Sequence, residues 1–213
     1  MNLFECNRAI MNEAEQQKVS AAKAVVIGAG GLGGFLVNGL VRLGVKNITI
    51  IDFDVFQPSN ANRQLYCTPV VMGEKKAEVL AKSFQSITNI NSITDKIDDN
   101  NAAGYLTGAD IVFDCVDNVE TKLVLERQCL KQGTPLIHGG VNGSYGQTAI
   151  ITDKPILKKL FKCASKCKNA VIMPQVISGL QLNLFIKYIK NDYSPNIVYY
   201  VDLDLMEINA FKE

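Results

Sequence analysis

No apolar run in this chain is long. Stretches such as Ala170-Val171-Ile172-Met173 are far too short to span a bilayer, which excludes a membrane helix. Neither charge sign is in excess: 22 basic residues stand against 21 acidic ones, for a formal net charge of +1. That balance supplies no bulk field to attract nucleic acid or an acidic membrane surface. Residues 1–17 carry Glu5, Arg8, Glu13 and Glu15 and lack the apolar core of a secretory signal. Cysteines at 6, 67, 115, 129, 163 and 167 are too scattered for a disulfide framework and read as reduced thiols, hence a cytoplasmic protein. Repeats, low-complexity tracts and flexible linkers are absent. With 213 residues, 47% of them hydrophobic, the chain can bury one full core. The expectation is a single domain over residues 1–213, with residues 1–22 as an N-terminal helical arm.

What is present begins at residue 28. Gly28-Ala29-Gly30-Gly31-Leu32-Gly33 lies between the apolar run Ala24-Val25-Val26-Ile27 and a helical pattern from Leu32 to Leu43. A buried strand there turns into a helix whose N-terminus can hold a phosphate, and glycine lets a ligand approach bare backbone. The next run, Ile48-Thr49-Ile50-Ile51, ends in Asp52, at the distance where an acid suits a ribose hydroxyl pair. An adenine nucleotide is the ligand this pattern implies.

Strand-like runs fall at 24–28, 47–51, 92–97, 110–114 and 135–138, with helical stretches at 31–43, 74–86 and 119–132. Such alternation predicts an α/β fold: a Rossmann-like, mostly parallel sheet with helices on both faces. Residues 139–146 read as loop, 147–152 as a strand and 174–190 as a helix. Residues 196–204 read as a late antiparallel strand in the C-terminal part, and 8–22 as a short polar helix.

A glycine motif alone does not separate a dinucleotide from a nucleoside triphosphate. The one histidine, His138, ends a predicted strand and reads as structural rather than as a hydride-transfer residue. Polar segments favour the triphosphate. Asp52-Phe53-Asp54 and Asn60-Ala61-Asn62-Arg63-Gln64 deliver carboxylates, amides and a guanidinium; Gly73-Glu74-Lys75-Lys76 opens a helix; Asp114-Cys115-Val116-Asp117-Asn118 ends a strand. Strand carboxyl ends converge on the ligand crevice in open α/β sheets, so these side chains can meet. Arg63 and Lys76 supply positive charge, and Asp117 can hold a magnesium ion bridging phosphates. Each has a plainer alternative: Arg63 a surface ion pair, Lys76 a solvated helix residue, Asp117 a helix N-cap.

This ordered set resembles the ThiF/MoeB/HesA group over about residues 7–190. These are relatives of the ubiquitin-activating enzymes that adenylate the C-terminal glycine of small ubiquitin-like sulfur carriers. The resemblance implies a homodimeric adenylyltransferase acting on a ThiS-like carrier with a Gly-Gly terminus, in thiamine biosynthesis. It implies ATP and Mg2+ as cofactors. By the same resemblance Gly28, Gly30, Gly31, Leu32, Gly33, Asp52, Asp54, Asn60 and Asn118 line the nucleotide site. Arg63 and Lys76 contact the phosphates, Asp117 holds the magnesium, and Arg8 reaches the terminal phosphates of a partner subunit. Such a reaction needs no strong base: a carboxylate ionised at neutral pH attacks the α-phosphorus, and cations with magnesium screen two anions.

The cysteines depart from the family pattern. Many members carry paired Cys-x-x-Cys zinc ligands, whereas here Cys163 and Cys167 form the one close pair, too few for a structural site, so zinc is not expected. Cys167 sits roughly where some relatives form a covalent bond to the carrier, with Lys162, Lys166 and Lys168 nearby. Adenylation itself needs no thiol. Alternative functions are activation of another carboxylate, on a modified tRNA nucleoside or a peptide terminus, or a nucleotide sensor or nicotinamide-dependent reductase.

Overall fold

The computed structural model describes residues 4–161 and 170–212. Parallel strands come first: β1 (Lys23–Ile27), β2 (Asn47–Ile51), β3 (Ile90–Ile93), β4 (Ile111–Asp114) and β5 (Leu136–Asn142). Antiparallel strands follow: β6 (Tyr145–Ile151), β7 (Ile197–Asp202) and β8 (Glu207–Lys212). They form one sheet in the order β3-β2-β1-β4-β5-β6-β7-β8.

The helices divide between the two faces. On one lie α1 (Glu13–Ala21), α2 (Gly31–Leu43), α3 (Lys76–Ser83) and α7 (Ile172–Ile189); on the other lie α4 (Ala102–Leu106), α5 (Val119–Gln132) and α6 (Leu157–Leu160). β1 shows why its sequence is apolar after the exposed Lys23 that opens it. Val26 feeds the core beneath α2 and α7, while Val25 and Ile27 feed the core beneath α5. Successive strand side chains alternate faces, so a strand covered on both sides has no polar position. The mixed α/β architecture is the one the alternation predicts.

Several boundaries differ from those expectations. Residues 8–22 are not one helix. A 3-10 turn over Glu5–Ala9 stops, and α1 starts afresh at Glu13. Asn12 forces the break: its side chain accepts the Glu15 N–H at 2.9 Å, and Glu15 accepts the Asn12 N–H at 2.8 Å. Met11 and Val19 of this segment are buried in the main core. Asn7 also donates to the carbonyls of Arg42 and Leu43, at 3.2 Å each, completing the C-terminus of α2.

The helix read at 74–86 is shorter, Lys76–Ser83. Lys75 is held extended by an antiparallel bridge to Val55. β3 lies at 90–93 rather than 92–97, where it pairs with β2. Residues 139–146, read as loop, are mostly strand. β5 runs on to Asn142 and β6 starts at Tyr145, the two residues pairing across a tight hairpin. Glycine carries full backbone hydrogen bonding without a side chain, so such strands leave no periodicity to read. β8, α4 and α6 are further elements that the periodicity did not indicate.

Candidate active site

β1 has β2 on one side and β4 on the other, so the chain reverses its winding there and opens a crevice at the strand carboxyl ends. A cleft of about 1070 Å³ occupies it. Its walls include Gly28, Gly30, Gly31, Leu32, Asp52, Asp54, Arg63, Lys76, Asp117 and Asn118. Separate sequence segments are thus brought to one cavity.

The turn from β1 into α2 forms the cradle. Gly28 has φ +96°, and a Cβ there would come within 2.7 Å of the Cys115 carbonyl oxygen. Only glycine lets β1 and β4 lie this close under the turn. The first turn of α2 carries no acidic side chain, so its N-terminal N–H groups and positive dipole end remain available to an anion. Gly33 is buried inside α2 and is not on the cleft wall.

Asp52, at the end of β2, is buried. Its Oδ2 accepts the Ala29 N–H at 2.6 Å and its Oδ1 the Asp54 N–H at 2.8 Å. Burial raises its pKa above the usual carboxylate value, opposed by those two N–H bonds and by Lys76. Each oxygen keeps a lone pair, and ribose hydroxyl donors would offset part of the desolvation.

Lys76 is not solvated. It is 5% exposed, and its Nζ donates to Asp54 Oδ2 at 2.9 Å. The Val55–Lys75 bridge and the bond from Lys76 N–H to the Asp54 carbonyl deliver it to the crevice. Arg63 is half-buried and donates to the Ser59 carbonyl at 3.0 Å and to Asn62 Oδ1 at 2.9 Å. Among the described residues no carboxylate pairs with it, so the surface ion-pair alternative does not hold. Asn60 lies beneath this loop rather than on the wall. Its Oδ1 accepts the Gln57 N–H at 3.0 Å, and its carbonyl accepts the N–H groups of Arg63 and Gln64. It shapes the turn that presents Arg63.

Asp117 is exposed on the opposite wall. It does not cap α5; Asn118 does, its Oδ1 accepting the Thr121 N–H at 2.8 Å. That role commits one of the Asn118 side-chain groups to the helix. Among the described residues the Asp117 carboxylate is left uncommitted. One such carboxylate facing phosphate oxygens is the donor set Mg2+ takes, since that ion keeps most of its waters. Among the described residues no three His, Cys, Asp or Glu side chains cluster as a metal site. Cys163, Cys167 and the flanking lysines lie outside the described residues.

Arg8 is remote from the cleft of its own chain. It pairs with Glu5 at 3.1 Å and lies beside Lys46 and Asn47, at the opening of β2 and so at the opposite end of the sheet.

The cleft floor holds groups the motifs did not reveal. Lys122 donates to both oxygens of Asp114, at 3.0 Å each, and to the Gly139 carbonyl at 2.7 Å. His138 Nδ1 lies 2.7 Å from Asp114 Oδ2. From the other face of the sheet Gln181 donates to the carbonyls of Asp114 and Ile137, at 3.2 and 3.1 Å. Burial lowers the His138 pKa and the Lys122 charge adds to that, outweighing Asp114, so the imidazole is neutral. Burial opposes ionisation of Asp114, but Lys122 and His138 overcome it and hold its pKa below the usual carboxylate value. His138 is fully buried and not on the cleft wall, so it is no hydride-transfer residue. Burial pushes the Cys115 thiol pKa up, and that of Cys129 to about 12, leaving both unreactive. Gln64 and Gln147 also line the cleft. The strand-end positions of Asp114 and His138 were the signals in the sequence pointing to this network.

A glycine cradle at a helix N-terminus, a buried acid at the next strand end and cations sharing one cleft with an exposed carboxylate define a nucleotide-binding α/β protein built for a phosphorylated ligand. The ThiF family model matches residues 5–213, and the chain belongs to the ThiF family. It is 35% identical over 172 residues to the molybdopterin-synthase adenylyltransferase of Haemophilus influenzae, covering 76% of this chain and 71% of that protein. It is 37% identical over 138 residues to the sulfur carrier protein ThiS adenylyltransferase of Bacillus subtilis, covering 62% of this chain and 41% of that one. The structure of Escherichia coli MccB with ATP superposes with a TM-score of 0.80 at 21% identity, covering 93% of this chain and 66% of that one, a likeness of fold.

Proposed function

We propose that this chain is an ATP-dependent adenylyltransferase that activates the C-terminal glycine carboxylate of a small ubiquitin-like sulfur carrier of the ThiS type. The observation that carries this reading is the convergence of Lys76, Arg63 and the α2 N-terminus on one cleft with the carboxylate of Asp117, which has no partner among the described residues. A nicotinamide site needs no such concentration of positive groups. The names of the two relatives described above point the same way.

In this reading Asp52 takes the ribose hydroxyls, and the glycine turn and α2 N-terminus lie against the phosphates. Lys76 and Arg63 neutralise phosphate oxygens, and Asp117 holds the Mg2+. The metal supplies charge screening of the triphosphate and of departing pyrophosphate. A carrier carboxylate oxygen bonds to the α-phosphorus as the bond from that phosphorus to the α,β-bridging oxygen breaks. The electron pair leaves with pyrophosphate, and no proton need move. Catalysis is then electrostatic, by groups fixed before the anions meet. Arg8, far from its own cleft, serves the partner site of a homodimer. A role in thiamine biosynthesis follows from the ThiS-type acceptor.

The test is to incubate the protein with ATP, Mg2+ and recombinant Bacillus subtilis ThiS, and to follow ATP–pyrophosphate exchange and the mass of ThiS. Carrier-dependent exchange and an adenylated ThiS terminus are expected. Stabilisation by NADH but not by ATP would overturn the reading in favour of a reductase.

A further inference from the structure

We propose that Gln147 binds the main chain of the acceptor's terminal residues, and that His138, anchored by Asp114, is the positioning residue that orients the Gln147 amide. The proposal rests on the adenylyltransferase reading above.

Proton accounting carries it. Asp114 is ionised and can only accept, so the 2.7 Å contact makes His138 Nδ1 the donor. A neutral imidazole bearing its proton on Nδ1 has a bare lone pair on Nε2. The group facing that lone pair is the Gln147 amide nitrogen, at 3.4 Å. The amide must therefore give an N–H to His138. Its orientation is fixed, and its carbonyl oxygen is turned away from His138, an acceptor with no hydrogen-bond partner among the described residues. Gln147 is half-buried on the cleft wall, with Tyr145 and Tyr200 as neighbours.

The backbone around it suits an extended chain. β4 stops at Asp114, paired with His138, while β5 continues to Asn142. Val112 N–H bonds to the Pro135 carbonyl, and Lys122 occupies the Gly139 carbonyl. Alternate residues of β5 thus direct their backbone groups to the β4 side, and Val141 directs its own beyond the end of β4, into the cleft. A glycine-ended tail can lie along that short edge as an added strand. The Gln147 carbonyl oxygen beside it accepts one of the tail's N–H groups. Oxygen acceptors at the edge and on the wall select a peptide backbone over a phosphate, which has no N–H to give.

The test is steady-state kinetics with Bacillus subtilis ThiS and ATP varied separately. Gln147→Met keeps length and volume and removes the amide. It is expected to raise KM for ThiS roughly tenfold, with KM for ATP and Tm held close to wild type. His138→Phe keeps the ring shape without nitrogen and is expected to raise KM for ThiS severalfold. Because both act through one amide, the double variant is expected to be no worse than Gln147→Met alone. Should the buried His138→Phe substitution prevent folding, Gln147→Asn replaces it, since its shortened amide cannot reach His138. An unchanged KM for ThiS in Gln147→Met, or equal rises for ThiS and ATP, overturns the proposal. Additive effects overturn the part assigned to His138. Absence of any ThiS-dependent exchange in the wild type is a different result, and overturns the adenylyltransferase reading itself.

Discussion

Lys122 and Asp114 form a buried ion pair beneath the cleft, with Lys122 Nζ at 3.0 Å from both carboxylate oxygens. The pair joins α5 to the end of β4, and the third Lys122 bond, to the Gly139 carbonyl, fixes β5 beside them. Breaking such a pair leaves an uncompensated charge out of water. Lys122→Met is therefore expected to destabilise the fold by about 3–5 kcal/mol. Urea denaturation of wild type and variant measures it; a change within experimental error would show that the pair is not stabilising.

Asp117 offers the opposite case. It is exposed and caps nothing, so Asp117→Ala is expected to leave Tm nearly unchanged. If it holds the magnesium, the same variant loses carrier-dependent ATP–pyrophosphate exchange. Retained exchange would remove the metal role from Asp117.

Stability is expected to fall in acid in two stages. The folded pKa of His138 lies below its ordinary 6.5, so the unfolded chain takes up that proton first. Its contribution is complete above pH 6.5 and declines as pH drops toward the folded value. Asp114, also lowered, contributes fully above its ordinary 3.8 and loses that contribution as pH falls through its folded pKa. Asp52, raised by burial, works against the second stage, because its protonation favours the folded state. Tm measured from pH 8 to pH 3 checks this, and His138→Phe should remove the upper stage alone.

Arg8 lies at the opposite end of the sheet from the cleft, so its role in catalysis depends on a second subunit. Arg8→Ala and Asp117→Ala are each expected to lose exchange when assayed alone. Mixed under conditions that let subunits trade, they should regain part of it, because one hybrid site then holds both groups. Failure to complement, with exchange of subunits verified by mass spectrometry, would confine Arg8 to a structural pairing with Glu5.

Cys163 and Cys167 give a simpler expectation. Adenylation forms no bond to sulfur, so Cys163→Ser with Cys167→Ser should keep ATP–pyrophosphate exchange at the wild-type rate. A large loss would assign a thiol to the first chemical step.

The cradle was legible because its demands are local. Gly28 must adopt positive φ at the turn and Asp52 must follow the next strand, and both marks stand in a short stretch of sequence, although the close approach of Cys115 to Gly28 does not show there. Alternating apolar runs likewise report burial of each strand on both faces. The misread segments are set by pairing and capping that leave no apolar periodicity. The hairpin through Gly139–Gly146 shows itself in backbone pairing, and the start of α3 is set by Val55 across the bridge to Lys75. For Asn60 and Asn118 the sequence names residues capable of binding a ligand. It does not say that a turn and a helix end have already claimed them.

By itself, then, the order of residues determined the fold class, the phosphate-holding turn and the identities of the charged groups, because propensity, periodicity and glycine geometry act over short distances. Tertiary structure alone decided which of those groups remain free to meet a ligand. It placed Lys76 on Asp54, left Asp117 without a partner among the described residues and set His138 against Asp114. Those outcomes depend on hydrogen-bond competition among side chains brought together only when the sheet closes.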